Sequence, residues 1–492
     1  MLTQWAKPLQ PQEEELKARL QRARDRLEGL QLQVKAAGLP VLILVEGWGA
    51  SGKGSAVGRL IQHMDPRFFT VKSMSTPSQE EKRYLFLQRY MAAIPQTGQF
   101  AVLDSGWMDE LVRQRLHNDL SHAEYERKMH SVCRFERQLT DNGYLVLKLF
   151  LHISCKEQKK RLEKLQGSVD TSWRVSSNDL WQNEHYEECY EVFDSYMKVT
   201  NLPCAPWYII DAKQKKWAEL QILEILESAI NTAMQNREKA VPLLQNTFPL
   251  QPMPLLSQVD LSVALDQEQY KEKCKKLQQR LSELHNKVYR KKIPVVIVYE
   301  GWDAAGKGGN IKRVAAALDA RGYQVHPIAS PRPDEKARHY LWRFWTRLPK
   351  TGHFAIFDRS WYGRVMVERL EGFCSENDWQ RAYNEINEFE DELIQWGAVV
   401  IKFWVHIDKQ TQLERFTDRQ NTPDKQWKIT DEDWRNREKW DEYEVAVNEM
   451  LQKTSTQQAP WYILASNSKY YARVQALEII IEQLEKALKE KD

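Results

Sequence analysis

The chain has 492 residues, 42% of them hydrophobic, with 71 Lys and Arg against 68 Asp and Glu for a formal net charge of +3. That length suffices for two ordinary domains, each burying its own core. Charge so nearly balanced excludes polyanion binding spread over the whole surface, so any such site has to be local.

The amino terminus, Met1-Leu2-Thr3-Gln4-Trp5, lacks a basic stretch followed by an apolar one, and no apolar run approaches the length of a bilayer span. A cytoplasmic protein without membrane or nucleic-acid partners is the expectation. The six cysteines form no CxxC pair, and reduced, buried thiols are expected of them.

The first predicted element is a helix. Leu16, Leu20, Ala23, Leu27, Leu30 and Val34 recur at alternating spacings of four and three, an amphipathic stripe with heptad character. So few heptads predict packing on its own or the sister domain, not a dedicated oligomerisation coil. An apolar strand over 41–45 then runs into Gly47-Trp48-Gly49-Ala50-Ser51-Gly52-Lys53-Gly54, and further strands are predicted over 68–74, 100–103, 145–153 and 207–210.

From there the pattern starts again. Residues 241–257 hold Pro242, Pro249, Pro252 and Pro254 and read as an extended surface linker. Tyr270, Cys274, Leu277, Leu281, Leu284 and Val288 repeat the helical stripe, and strands follow over 294–299, 323–328, 354–357, 398–407 and 461–464. Gly301-Trp302-Asp303-Ala304-Ala305-Gly306-Lys307-Gly308 lies 254 residues after its first copy, as do Asp358 after Asp104 and His406 after His152. A constant offset means that one whole domain is duplicated. The expected division is residues 1–240, the linker, and residues 258–492.

Continuous apolar strands alternating with longer polar, helix-forming stretches predict an α/β fold. It consists of two tandem P-loop kinase-like domains, each a parallel five-stranded sheet covered by helices, with a helical lid. The duplication also serves as an internal control. Packing residues should persist in both copies, whereas catalytic residues can be lost from one.

A strand entering Gly-x-x-x-x-Gly-Lys and then a helix presents backbone N–H groups to a phosphate at a helix N-terminus. Gly301, Gly306 and Gly308 therefore belong to a substrate-binding loop, and Lys307 neutralises phosphoryl oxygens. Position 308 is Gly where a metal-binding Ser or Thr is usual, so another group must hold the metal. Asp303 would repel phosphate unless a divalent cation lay between them, and Asp358 ends an apolar strand as a second metal-binding carboxylate should. The first copy keeps Lys53 and Asp104 but has Gly49 in place of Asp303.

Residues 332–369 carry nine basic residues against four acids, whereas the counterpart 78–115 carries five of each. A solvated helix face gives no reason for one copy alone to be basic, and the excess suits a repetitively charged phosphate polymer. Arg359 and Arg364 become Ser105 and Glu110 in the first copy, and a Glu facing phosphate is repulsive.

With Ser330-Pro331-Arg332-Pro333, Asp358-Arg359-Ser360-Trp361-Tyr362-Gly363-Arg364, Trp427-Lys428 and Ala459-Pro460-Trp461-Tyr462 added, the chain resembles the polyphosphate kinase 2 family in its fused two-domain form. The resemblance implies Mg²⁺-dependent phosphoryl transfer from inorganic polyphosphate to AMP, giving ADP, in the C-terminal repeat. It implies Mg²⁺ on Asp303 and Asp358, a catalytic Lys307, Arg359 and Arg364 clamping phosphates, and Glu368 orienting an arginine or a metal-bound water. Arg332 and Lys428 would contact substrate, and Arg415 and Arg419 would lie on a lid closing over the phosphates.

The bland alternatives are an i, i+4 surface pair for Arg415 and Arg419, a satisfied structural histidine at His152 and His406, and packing for Trp427-Lys428, retained as Trp173-Arg174. An ATP-dependent nucleotide or small-molecule kinase, or a non-catalytic phosphate- or nucleotide-binding regulator, would share the loop. The preference among AMP, GMP and ADP, the polymer length, the direction of transfer, the oligomeric state and the role of the first repeat are left open by the sequence.

Overall fold

The computed structural model describes residues 1–74, 76–236 and 241–491, and the side chains of residues 425, 427 and 428 fall outside the described set. The chain divides into two compact units, each formed mainly by one repeat. Unit 1 holds residues 1–79, 89–240 and 333–339, and unit 2 holds 80–88, 241–332 and 340–492. Each unit thus incorporates a short segment from the other repeat, which the linear division at 240 does not anticipate. In unit 2 the Thr351 N–H donates to the Arg83 carbonyl (2.8 Å) and Lys350 pairs with Glu80 (2.7 Å). In unit 1 the Thr97 N–H donates to the Ala337 carbonyl (2.8 Å).

Unit 1 contains strands β1 (Val41–Gly47), β2 (Phe69–Ser73), β3 (Phe100–Asp104), β4 (Leu145–His152) and β5 (Trp207–Asp211) in the order β2-β3-β1-β4-β5. Unit 2 contains β6 (Val295–Gly301), β7 (Tyr323–Pro327), β8 (Phe354–Asp358), β9 (Val399–His406) and β10 (Trp461–Ala465) in the matching order β10-β9-β6-β8-β7. All the pairings are parallel. β1 and β6, buried along nearly their whole length, are the central strands. Such runs of Val, Ile and Leu belong to a sheet covered on both faces.

The opening helices, Glu13–Ala37 and Gln267–Arg290, bury their stripes against the closing helices Lys215–Asn236 and Lys469–Lys489 of their own units. Arg19 to Glu224 (2.8 Å) and Arg280 to Glu485 (2.6 Å) join the two helices at their rims.

Both cores contain the same buried ion pair. Lys148 and Lys402 donate to Glu136 (2.6 Å) and Glu390 (2.7 Å) and to the carbonyls of Thr200 and Thr454. Trp107 and Trp361 donate to the same carboxylates. Persistence in both copies marks this network as architecture. Removing one partner of such a pair typically costs about 3–5 kcal/mol.

In the linker, whose residues are mostly exposed, the Gln251 N–H donates to the Ser455 carbonyl (2.7 Å), the Gln457 N–H donates to the Pro249 carbonyl (3.0 Å), and Leu256 is buried. Two expectations need correction. Of the six free cysteines only Cys189 and Cys274 are buried, and Cys204 is exposed. Trp173 is 75% exposed with its indole on the Asp170 carbonyl, so its retention beside Arg174 does not reflect core packing.

Candidate active site

In an open parallel sheet, ligands bind at the carboxyl ends of the strands where neighbouring connections diverge. In unit 2 that point lies between β6 and its neighbour β8. β6 ends at Gly301, whose φ of +149° and close approach to β9 require glycine, since a Cβ there would lie 2.4 Å from the Val405 carbonyl oxygen. The loop then turns through Ala304 at φ 60° and Gly306 at φ 112° into the helix Lys307–Ala315. β8 ends at Asp358, and Arg359 follows at φ 65°. Two non-glycine residues in the left-handed region at one site indicate backbone held under strain by its surroundings.

These elements wall a cavity of about 590 Å³ lined by Asp303, Gly306, Lys307, Gly308, Asp358 and Arg359, and also by Arg419, Thr430, Glu432, Asp433 and Asn436. Asp303 accepts from Arg359 Nη2 on one carboxylate oxygen (3.2 Å) and from Asn436 Nδ2 on the other (2.9 Å). Burial pushes the Asp303 pKa up, but Lys307, Arg359 and Asn436 outweigh it, and the net shift is downward. Lys307 Nζ donates to the carbonyls of Gly301 (2.6 Å) and Trp302 (3.2 Å), and its pKa is lowered by burial against the opposing pull of Asp303. The carboxylate is therefore anionic at neutral pH and stands beside a partly desolvated ammonium.

Among the lining residues, three cations (Lys307, Arg359, Arg419) face four carboxylates (Asp303, Asp358, Glu432, Asp433). Asp433 is committed to a capping box with Thr430, accepting from its N–H at 2.8 Å. Asp303 and Asp358 are the carboxylates of this wall that could hold a divalent cation, their oxygens being hard ligands of the kind Mg²⁺ takes.

The remaining predicted residues lie elsewhere. Arg415 spends its guanidinium on four carbonyls, Ala304 (3.0 Å), Ala305 (2.9 Å), Ser466 (2.6 Å) and Asn467 (3.0 Å). It holds the loop from behind and is not part of the cavity wall. Arg161 does the same in unit 1 with Ala50, Ser51, Ala212 and Lys213.

Arg364 pairs with Glu368 (3.0 Å) and lies over the Tyr340 ring (4.4 Å), away from the cavity wall, and Arg332 is exposed. The basic surplus of 332–369 is largely spent on packing. Arg369 pairs with Glu449 and stacks on Trp379, Arg338 donates to the Asp334 carbonyl, and Arg343 to the Ala329 carbonyl. Of that stretch, Asp358 and Arg359 line the cavity. The Lys428 side chain lies outside the described residues.

His406 is structural in its bonding. Its Nδ1 accepts from the Trp302 indole (3.1 Å), which requires that nitrogen to be unprotonated, and burial lowers its pKa to about 4. His152 accepts from Trp48 in the same way (3.1 Å).

Sequence reasoning missed the helix Asp431–Glu438 as a wall of the cavity. Thr430, Glu432, Asp433 and Asn436 reach the cavity from it and from its cap.

In unit 1 the loop keeps its shape, and Gly49 stands where unit 2 has Asp303. Ala50 and Ser105 retain left-handed φ values of 56° and 63°. Gln182, the counterpart of Asn436, accepts from the Gly49 N–H (2.7 Å), and a Cβ on Gly49 would lie 2.2 Å from Asp179 Oδ1. The space that Asp303 uses in one repeat is filled in the other by side chains of the helix Ser177–Glu184.

The polyphosphate kinase 2 family model matches residues 10–238 and again 264–492. The chain belongs to the polyphosphate kinase 2 family. It is 41% identical over 473 residues to a polyphosphate:AMP phosphotransferase of Pseudomonas aeruginosa, covering 95% of both chains. It is 38% identical over 447 residues to a polyphosphate:AMP phosphotransferase of Acinetobacter johnsonii, covering 90% of both. A crystal structure described as polyphosphate kinase 2 from Pseudomonas aeruginosa superposes with a TM-score of 0.86 at 37% identity, covering 100% of both chains. This chain and these relatives therefore match over nearly their whole length, both repeats included.

Proposed function

We propose that unit 2 transfers a terminal phosphoryl group from inorganic polyphosphate to AMP, giving ADP and a polymer shorter by one phosphate. The observation that carries this reading is the convergence of Asp303, Lys307, Asp358 and Arg359 on one cavity, in a chain whose full-length relatives carry that activity in their names.

The AMP phosphate oxygen is already ionised and attacks the terminal phosphorus of the polymer. The P–O bond to the bridging oxygen breaks, and the electron pair leaves on the shortened chain. No proton has to be removed, so catalysis consists of positioning and charge neutralisation. The N–H groups of the loop and of the first turn of Lys307–Ala315 bind the phosphates, and Lys307 meets charge on the transferring group. Arg359, tethered to Asp303, is placed to follow that group. Asp303 and Asp358 would hold Mg²⁺, which would supply positive charge to neutralise the phosphates. The helix Asp431–Glu438 acts as a lid and excludes water, protecting the phosphoryl group from hydrolysis.

The test is a radiometric screen on the full chain, with AMP, GMP or ADP as acceptor, polyphosphate or ATP as donor, and Mg²⁺ present or chelated. ADP formation from AMP and polyphosphate that vanishes on chelation supports the reading. Turnover with ATP alone would replace it by an ATP-dependent kinase.

A further inference from the structure

Unit 2 has a second concavity, of about 540 Å³, lined by Arg280, Leu284, Lys287, Arg290 and Lys291 from the opening helix or its cap and by Glu485, Leu488 and Lys489 from the closing helix. The opening helix ends just before β6 begins, and the closing helix runs back from the far end of β10. The groove therefore lies at the amino-terminal edge of the sheet, whereas the cavity described above lies at the carboxyl-terminal edge. Seven residues of β6 separate these edges by about 20 Å.

The charge of this groove is its notable property. Five cations line it against one carboxylate, Glu485, which is already paired with Arg280. Lys287, Arg290 and Lys489 are exposed, and no ion pair to any of them is found among the described residues. Buried Leu284 and Leu488 form the floor, so the cations stand along the rim.

The duplication again supplies the control. At the positions equivalent to Lys287, Arg290, Lys291 and Lys489 the first repeat has Gln33, Ala36, Ala37 and Gln235, and only Arg280 has a basic counterpart, Arg26. Cations in the last turn of a helix complement its dipole, and that accounts for one or two of them. It does not account for five in one copy and one in the other, since the opening helices end within a residue of the same place in both copies.

We propose that this groove is a second polyanion site that grips inorganic polyphosphate remote from the reacting end. The choice of polymer rests on the function proposed above. A chain held here raises the effective concentration of its end near the catalytic cavity, by an amount that grows with contact along the polymer and is absent for chains too short to reach. The acidic wall of the catalytic cavity makes such a grip useful, because the cations that hold the bulk of the polymer are supplied elsewhere.

The experiment uses the full chain and the triple variant K287Q/R290Q/K489Q, whose changes are exposed and lie in helices that tolerate Gln. Two readouts are needed. Direct binding of long-chain polyphosphate is measured by calorimetry across a salt series, and KM is measured for long polyphosphate and for tripolyphosphate. The variant is expected to bind the long polymer about tenfold more weakly with a shallower salt dependence. KM should rise about tenfold for the long polymer and stay unchanged for tripolyphosphate and AMP, with kcat unchanged.

Unaltered long-polymer binding overturns the proposal, as does an equal loss for tripolyphosphate. Stronger dependence of single-stranded RNA binding on the three cations would assign the groove to nucleic acid, and a changed sedimentation coefficient with unchanged polymer affinity would assign it to a second copy. Both results overturn it. The binding readout does not need turnover, so failure of the proposed reaction with either donor would be seen separately from failure of the groove.

Discussion

The two repeats hold the same loop, lysine and strand-end aspartate, and differ in what faces them. In unit 2 Asp303 stands in the cavity between Arg359 and Asn436. In unit 1 Gly49 gives way to Asp179, and Gln182 occupies the loop amide. The two repeats thus share the loop backbone and differ in the side chains that stand against it. The strained left-handed residues survive in both repeats because the sheet and the Arg161 or Arg415 clamp hold the loop from behind, whatever happens in front of it.

The largest effect should come from the groups that only one repeat can use. Asp303→Ala, Lys307→Ala or Asp358→Ala is expected to lower kcat with AMP and polyphosphate by about 10²-fold or more, a loss of a few kcal/mol of transition-state stabilisation. Lys53→Ala and Asp104→Ala should stay within a few-fold. Single-turnover measurements on all five variants decide the matter, and comparable losses from Lys53 and Lys307 would break the contrast.

Acid should also separate the units. His406 is buried with its pKa lowered to about 4, whereas the ordinary value is about 6.5. The unfolded chain takes up that proton first, so the stability linked to neutral His406 is complete above about pH 6.5. It is lost as pH falls toward 4, by roughly 3 kcal/mol. His152 is likewise lowered by burial, with Asp211 favouring its charged form, and in His406 burial outweighs the opposing pull of Asp408 and the Leu256 backbone. Denaturant melts between pH 7 and 4 should show unit 2 weakening more, and His406→Gln should flatten its pH dependence. An unchanged slope in that variant would remove the histidine from the explanation.

Restoring the missing acid should fail for a steric reason. Gly49→Asp places its Cβ against Asp179 Oδ1 and sets two carboxylates together, so it should destabilise unit 1 by about 1–3 kcal/mol. It should give no Mg²⁺-dependent turnover in a Lys307→Ala background. Thermal melting and a coupled ADP assay check both statements. Recovered activity without loss of stability would show that the helix Ser177–Glu184 of unit 1 opens readily.

Much of this contrast was legible in the sequence, because the constant offset turns one chain into an alignment of two domains. Sheet composition, the loop and the lost Asp303 follow from it, whereas the family resemblance rests on the motifs of the second repeat. Side-chain commitments did not follow. Arg415 and Arg364 carry the charge expected of phosphate ligands, yet one holds carbonyls and the other a glutamate and a ring. A count of charges along 332–369 cannot tell a rim from a channel. The exchanged segments 80–88 and 333–339 carry no periodicity to announce them. The lid helix Asp431–Glu438 buries none of its residues and so lacks an apolar stripe. The one signal that could have found it is the change of Asn436 to Gln182, which needs the same internal control that exposed Asp303.

Asn436 supplies the smallest and most discriminating prediction. Its amide bonds Asp303 across the cavity and ties the lid helix to the phosphate loop. A single such bond to a charged group contributes about 1.5–3 kcal/mol in a buried setting and less in an open cavity. Asn436→Ala should therefore raise KM for polyphosphate about three- to tenfold with little loss of stability, because the lid helix has no core to lose. Gln182→Ala should leave kinetics untouched and lower the melting temperature of unit 1, since Gln182 lies in a buried network with Gln158 and the Gly49 N–H. The same lid position would then serve substrate closure in one repeat and packing in the other. Kinetic sensitivity to Gln182→Ala, or a stability loss without a kinetic effect at Asn436, would show that the two lids do the same job.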